Sequence, residues 1–201
     1  GKKLTVPRVQ IAEGGAGLTL GDARADGTLT SAGSALVLAN ANAAGGAALT
    51  VNATVANNGG TTVSLVKSGS GEVVLAGPVT HTGGTVIGTG ALTFDTAAAS
   101  VRDLPSGVIS GSGGLKLSGS GTVAFPNVAN TYAGTTTVAA GTARILNNDT
   151  FGSKAAPTVV QNGAAIDFWG ITTANALRLG TEQVFAQGEG PDGLGALRNT
   201  G

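Results

Sequence analysis

The chain has no cysteine and no methionine, a single histidine, one tryptophan and one tyrosine in 201 residues. Without cysteine there is no disulfide framework, no thiol nucleophile and no thiolate-bound zinc. A cysteine-free chain is compatible with crossing a periplasm unfolded, where a premature disulfide would block passage. With His81 as the lone imidazole, zinc sites of the multi-histidine kind lack ligands. A Ser-His-Asp triad would have one possible base, and no nucleophile-elbow sequence is present to go with it. Clustered positive charge is missing too. Eleven Lys+Arg balance 11 Asp+Glu, the formal net charge is +0, and the basic doublet is Lys2-Lys3 alone. Nucleic-acid partners depend on a basic footprint, so none is expected. No run approaches the roughly 20 apolar residues that cross a bilayer. Residues 1–20 lack the charged-then-apolar pattern of a signal peptide. With no initiator Met, the sequence reads as an internal or processed piece whose partners include flanking segments of a longer chain.

What is present is glycine, 35 residues of 201, against a usual share of about 7%. Hydrophobic residues reach 41% while charged residues are 11% and aromatics 3%, the reverse of a disordered composition. Stretches such as Leu36-Val37-Leu38 break a collagen triplet. The recurrent local signal is an apolar pair at i and i+2. It occurs at Leu18/Leu20, Leu36/Leu38, Leu49/Val51, Val63/Leu65, Val73/Leu75 and Leu92/Phe94. Leu115/Leu117, Val123/Phe125, Ile166/Phe168 and Leu177/Leu179 continue it. The residue between is often polar, as at Thr19, Thr50, Ser64, Thr93, Lys116, Asp167 and Arg178. Period-two alternation puts one side of a strand inward and the other in water. Helix-spaced apolar stripes of useful length are missing. The chain is all-β, with strands of about three to five residues.

A repeat underlies these strands. Gly69-Ser70-Gly71-Glu72-Val73-Val74-Leu75 recurs as Gly119-Ser120-Gly121-Thr122-Val123-Ala124-Phe125, an offset of 119 − 69 = 50. Thr80-His81-Thr82-Gly83-Gly84-Thr85 recurs as Thr131-Tyr132-Ala133-Gly134-Thr135-Thr136, an offset of 131 − 80 = 51 that also carries Gly90 onto Gly141. Residues 65–145 thus hold two copies of a module of about fifty residues. Residues 1–60 read as degenerate coils and 158–201 as the start of a further round. Antiparallel propeller blades need recurring hairpin turns, but Asp26-Gly27, Asn58-Gly59, Asn162-Gly163 and Asp192-Gly193 do not recur at the module offset. A parallel β-solenoid fits better, with two coils of roughly 20–25 residues per module and glycine at the corners. Its narrow aliphatic column leaves little room for aromatics.

The run Gly119 to Phe125, then Asn130-Thr131-Tyr132-Ala133-Gly134-Thr135-Thr136-Thr137-Val138, then Ala140-Gly141-Thr142 resembles the autotransporter-associated β-strand repeat. Residues 69–94 resemble a poorer copy, with His81 where the Tyr stands and no Asn before it. Asp192 to Gly201 is similar to the segment that links such repeats. The resemblance implies a right-handed parallel β-helix from the passenger-type region of a Gram-negative surface exoprotein, extracellular or on the cell surface. The outer-membrane barrel of such a protein is not within these residues, which contain no series of about ten-residue strands with aromatic girdles.

Candidate chemistry is sparse, and no catalytic residue, metal ligand or cofactor is expected. Asp22 with Asp26, or Asp95 with Arg102 and Asp103, are the groups from which a polysaccharide-cleaving β-helix could be built; both sets fall in turns, where solvated charges are ordinary. Gly188-Glu189-Gly190-Pro191-Asp192-Gly193-Leu194 fits one copy of a calcium nonapeptide, which needs consecutive copies. Trp169 and Tyr132 are the aromatics that could stack on host or matrix glycans. The expected function is a structural shaft or spacer. The alternatives are a fibre subunit stacking end to end on itself, an adhesive module, and a polysaccharide-degrading enzyme.

Overall fold

A computed structural model describes residues 2–169 and 179–201; Leu177 and Arg178 lie outside the described residues. The chain visits three parallel faces in turn as far as Gly111, and the described coils beyond it carry strands on the first and third faces alone. The third face is the longest, an unbroken ladder of β3 (Leu18–Leu20), β6 (Leu49–Val51), β9 (Val73–Leu75), β11 (Ala91–Asp95), β14 (Gly114–Ser118), β16 (Thr136–Val138), β18 (Thr158–Val160) and β20 (Val184–Ala186). The second face stacks β2 (Arg8–Ile11), β5 (Ala35–Asn40), β8 (Ser64–Ser68), β10 (Thr85–Ile87) and β13 (Ile109–Gly111). The first face is split. One part holds β1 (Lys3–Thr5), β4 (Thr28–Thr30) and β7 (Thr54–Val55); the other holds β12 (Val101–Asp103), β15 (Thr122–Ala124), β17 (Gly141–Arg144), β19 (Ala164–Asp167) and β21 (Leu197–Arg198). This is a parallel β-solenoid. Parallel crossovers of this kind are right-handed as a rule.

Register on the third face measures each coil. Val73 pairs with Leu92 (92 − 73 = 19 residues) and Leu18 with Leu49 (49 − 18 = 31), the shortest and longest steps. Coils of 19–31 residues bracket the expected 20–25, but the fifty-residue offset is not two coils. Leu65 on the second face pairs with Thr85, and Thr85 with Ile109, so two coils take 109 − 65 = 44 residues. The remaining six carry the chain to Leu115 on the next face. The second copy of the motif therefore sits one face further round the solenoid than the first.

Stacked side chains hold the coils together. Val51, Leu75, Phe94, Leu117, Val138 and Val160 follow one another in register along the third face, all fully buried. Burying each such side chain contributes about 1.5–3 kcal/mol before chain entropy is charged. Phe125 and Phe151 meet edge-to-face, centroids 5.8 Å apart. Corners need glycine where coils nearly touch. A Cβ on Gly69 (φ +81) would lie 2.1 Å from the Asn40 carbonyl oxygen, and one on Gly119 (φ +77) 2.1 Å from that of Thr96.

Two residues expected to face water are buried: Thr93, 2% exposed, whose hydroxyl donates to the Glu72 carboxylate, and Asp167. Asp167 is 1% exposed, its carboxylate accepting from the backbone N–H (3.0 Å) and hydroxyl (2.7 Å) of Thr200, so the last described coil folds over it.

Candidate functional site

The interruption of the first face is where the charged candidates meet. Val79 pairs with Val55 as the last rung of the first part, and β12 opens the second part without a strand partner on that side. Between them lies a groove of about 380 Å³ whose walls include Arg24, Asp95, Arg102 and Asp103. The register of this face runs through Leu29, Val55 and Val79, then resumes with Arg102, Val123, Ala143 and Ile166. An arginine thus occupies a row that is otherwise apolar, at the break itself.

Arg102 Nη1 donates to the carbonyls of Leu75 (2.6 Å) and Asp95 (3.3 Å), and its guanidinium sits 5.6 Å from the Phe94 ring centroid. Burial lowers its pKa to about 10, helped by the nearby Arg24 charge and opposed by Asp95, so it stays protonated at neutral pH. Arg24 reaches in from an earlier coil. Its Nη1 donates to the carbonyls of Ala76 and Asp95, both at 2.6 Å, and its Nη2 is paired with the Asp95 carboxylate. Ser118 donates to the other Asp95 oxygen at 3.0 Å. Chemically, the cluster supplies donors to three corner carbonyls and pairs the one carboxylate at its centre.

Asp95, Arg102 and Asp103 are thus brought to one groove, whereas Asp22 and Asp26 are not. Those two form a turn in which the Asp22 N–H donates to Asp26 Oδ2 at 3.1 Å, beside Lys2 and Lys3. Tyr132 is fully buried and its hydroxyl is hydrogen-bonded to Thr136 Oγ1 at 2.5 Å. Its ring presents no face to a sugar, which corrects the expectation of a stacking platform there. Trp169 is 37% exposed, with the Arg144 guanidinium 3.7 Å from its ring centroid, so one face is already covered. In the calcium-like stretch, Asp192 is ion-paired with Arg198. Among the described residues no three His, Asp or Glu side chains converge as metal ligands.

Sequence reasoning missed Arg24 and a second core-facing cation, Lys67. Lys67 lies between Leu38 and Ile87 on the second face, is 0% exposed, and donates through Nζ to the carbonyls of Gly69 and Thr89. Burial lowers its pKa to about 8 despite the opposing pull of Glu72. Its sequence equivalent in the second copy is Leu117, which is buried in the ordinary way.

The two copies share their corner geometry: Gly69 and Gly119 have φ of +81 and +77, and Gly90 and Gly141 both have +67. Residues 65–97 and 115–142 match the passenger-associated-transport-repeat. Two segments of the chain are thus similar to that repeat. No curated protein and no solved structure matches the chain. Within the second repeat, Asn130 joins coils on both sides. Its Oδ1 accepts from the Ile109 N–H (2.9 Å) and its Nδ2 donates to the Thr150 carbonyl (2.8 Å). The first repeat has Val79 at that place.

Proposed function

We propose that these residues form a stiff shaft or spacer in the passenger region of a Gram-negative surface protein, holding other parts of a longer chain apart and performing no local catalysis. The observation that carries this reading is the third face, where eight strands pair in one uninterrupted parallel ladder. At about 4.8 Å per rung, seven steps span roughly 34 Å. Backbone hydrogen bonds and stacked aliphatics along such a ladder resist bending in the same direction in which they set length. The groove on the first face supports the same role, because its arginines are bound to corner carbonyls and to Asp95. A shaft lengthens by whole coils. Leu92 pairs with Leu115, so duplicating residues 92–114 should add one rung. Small-angle X-ray scattering should then show the maximum dimension rising by about 5 Å per inserted coil with the cross-section unchanged. A wider cross-section, or no added length, would refute the shaft.

A further inference from the structure

Two Asn-Gly pairs, Asn58-Gly59 and Asn162-Gly163, sit in turns between strands. An asparagine followed by glycine is unusually open to attack from within the chain. No Cβ on the second residue shields its amide nitrogen from the side-chain carboxamide, and its backbone turns freely. Sequence alone makes the two pairs equivalent. So does the space around them: Gly59 and Gly163 have φ of +61 and +79, and a Cβ built on either would meet nothing within 4 Å.

Hydrogen bonding separates them. The Asn58 N–H donates to the Thr61 carbonyl (3.2 Å), its carbonyl accepts from the Thr61 N–H (3.1 Å), and its Oδ1 accepts from Lys3 Nζ (2.7 Å). Closing a ring between the Gly59 nitrogen and Asn58 Cγ requires the intervening peptide group to turn and the side chain to swing towards it. Both movements break these bonds. Asn162 is exposed, in the turn between β18 and β19 that the Ala164 N–H closes on the Gln161 carbonyl (3.0 Å). Among the described residues nothing hydrogen-bonds the Asn162 carboxamide, the Asn162 carbonyl or the Gly163 N–H. The peptide group between Asn162 and Gly163 therefore turns without giving up a partner. The corner of the next coil passes close by, since a Cβ on Gly188 would lie 2.1 Å from Asn162 Oδ1.

We propose that Asn162 is a site of spontaneous deamidation, converted by water to aspartate or isoaspartate, while the fold shields Asn58. The Gly163 nitrogen gives its proton to solvent base and bonds to Asn162 Cγ. The Cγ–Nδ2 bond then breaks, and Nδ2 leaves with a proton as ammonia. Water adds to either carbonyl of the resulting cyclic imide and breaks that carbonyl's bond to the ring nitrogen, which takes back a proton. Opening at Cγ gives aspartate, and opening at the backbone carbonyl gives isoaspartate. Either product places a negative charge beside the Gly188 corner, and isoaspartate also lengthens the turn by one backbone atom.

The intact chain, aged in mildly alkaline buffer both folded and unfolded in guanidinium chloride, reports both sites by mass spectrometry. Trypsin places Asn58 and Asn162 in separate peptides, 25–67 and 155–178, and fragmentation assigns the mass gain to each residue. Unfolded, the two sites should react at similar rates. Folded, Asn162 should keep most of its unfolded rate, while Asn58 should lag it by at least about tenfold because three hydrogen bonds must first be released. Gly163→Ala should suppress the gain at Asn162 and leave the rate at Asn58 unchanged. A folded Asn162 that reacts no faster than Asn58 overturns the proposal, as does a gain at Asn162 that survives Gly163→Ala undiminished.

Discussion

Replacing Lys67 by methionine keeps an unbranched side chain, one heavy atom shorter, and removes its charge, so the pH dependence of the variant reports what that charge does to the fold. Burial holds the folded-state pKa near 8, against 10.5 for an unhindered lysine. A group whose pKa is depressed on folding loses its proton earlier in the native chain than in the unfolded one. Between pH 8 and 10.5 the unfolded state therefore binds more protons, and stability rises with pH. At 1.36 kcal/mol per unit, the full rise is about 3 kcal/mol. Below pH 8 both states carry the proton and this contribution is flat. Tyr132 acts in the opposite direction: burial raises its pKa, so the folded phenol stays neutral while the unfolded one ionises, and stability falls above pH 10. The useful window is consequently pH 7.5 to 9.5. Urea unfolding of both chains across that window should give a difference that grows in favour of the wild type by roughly 1.36 kcal/mol per pH unit above pH 8. The absolute difference at pH 7 is not the test. Methionine relieves a buried charge but leaves the Gly69 and Thr89 carbonyls without their donor, a cost of about 1–3 kcal/mol. A wild-type-minus-variant difference that stays constant from pH 7.5 to 9.5 would show that Lys67 titrates as an ordinary surface lysine, and the reasoning would fail.

Gly119→Ala should cost well over 3 kcal/mol, because its Cβ meets a carbonyl oxygen at 2.1 Å as well as carrying positive φ. Gly163→Ala is the control: φ is +79 and nothing lies within 4 Å, so only conformational strain of about 1 kcal/mol is expected in the same denaturation experiment. Tyr132→Phe strands the buried Thr136 hydroxyl and should lose about 1–3 kcal/mol at neutral pH. It should also remove the decline in stability above pH 10, so a decline of unchanged size in the variant would point to another group.

The strands that the sequence displays openly are those with two aliphatics facing inward. Leu18/Leu20, Leu49/Val51, Val73/Leu75 and Leu92/Phe94 all fall on the third face with Thr19, Thr50, Val74 and Thr93 between them. The strands it hides begin their inward row with threonine. β10, β16 and β18 start at Thr85, Thr136 and Thr158, which are 0%, 1% and 0% exposed, so the apolar-x-apolar template passes over them. Two of those hydroxyls are paired, with Tyr132 and with Glu182 at 2.7 Å, by residues whose proximity depends on coiling. Lys67 was legible in principle, since it lies two residues beyond Leu65 and so shares its side of the strand. Its charge argues for water, and only the carbonyls of Gly69 and Thr89 make the inward position tolerable. Arg24 carried no signal. Its partners lie 52 and 71 residues away, across coils whose stacking no local pattern states.

The same separation of local from stacked information accounts for the phase of the repeat. What the motif needs locally is a left-handed corner at Gly69 or Gly119, an inward pair, a buried aromatic and a second left-handed corner at Gly90 or Gly141. None of these depends on which face of the solenoid receives the strand. What lies above and below does depend on it. Lys67 stacks between Leu38 and Ile87, while its equivalent Leu117 stacks between Phe94 and Val138. A period of two coils plus one face therefore lets corners be copied faithfully while the stacked positions diverge, as His81 and Tyr132 or Lys67 and Leu117 have done. It also means that successive repeats present their equivalent loops on successive faces, winding round the shaft instead of lining up along one side.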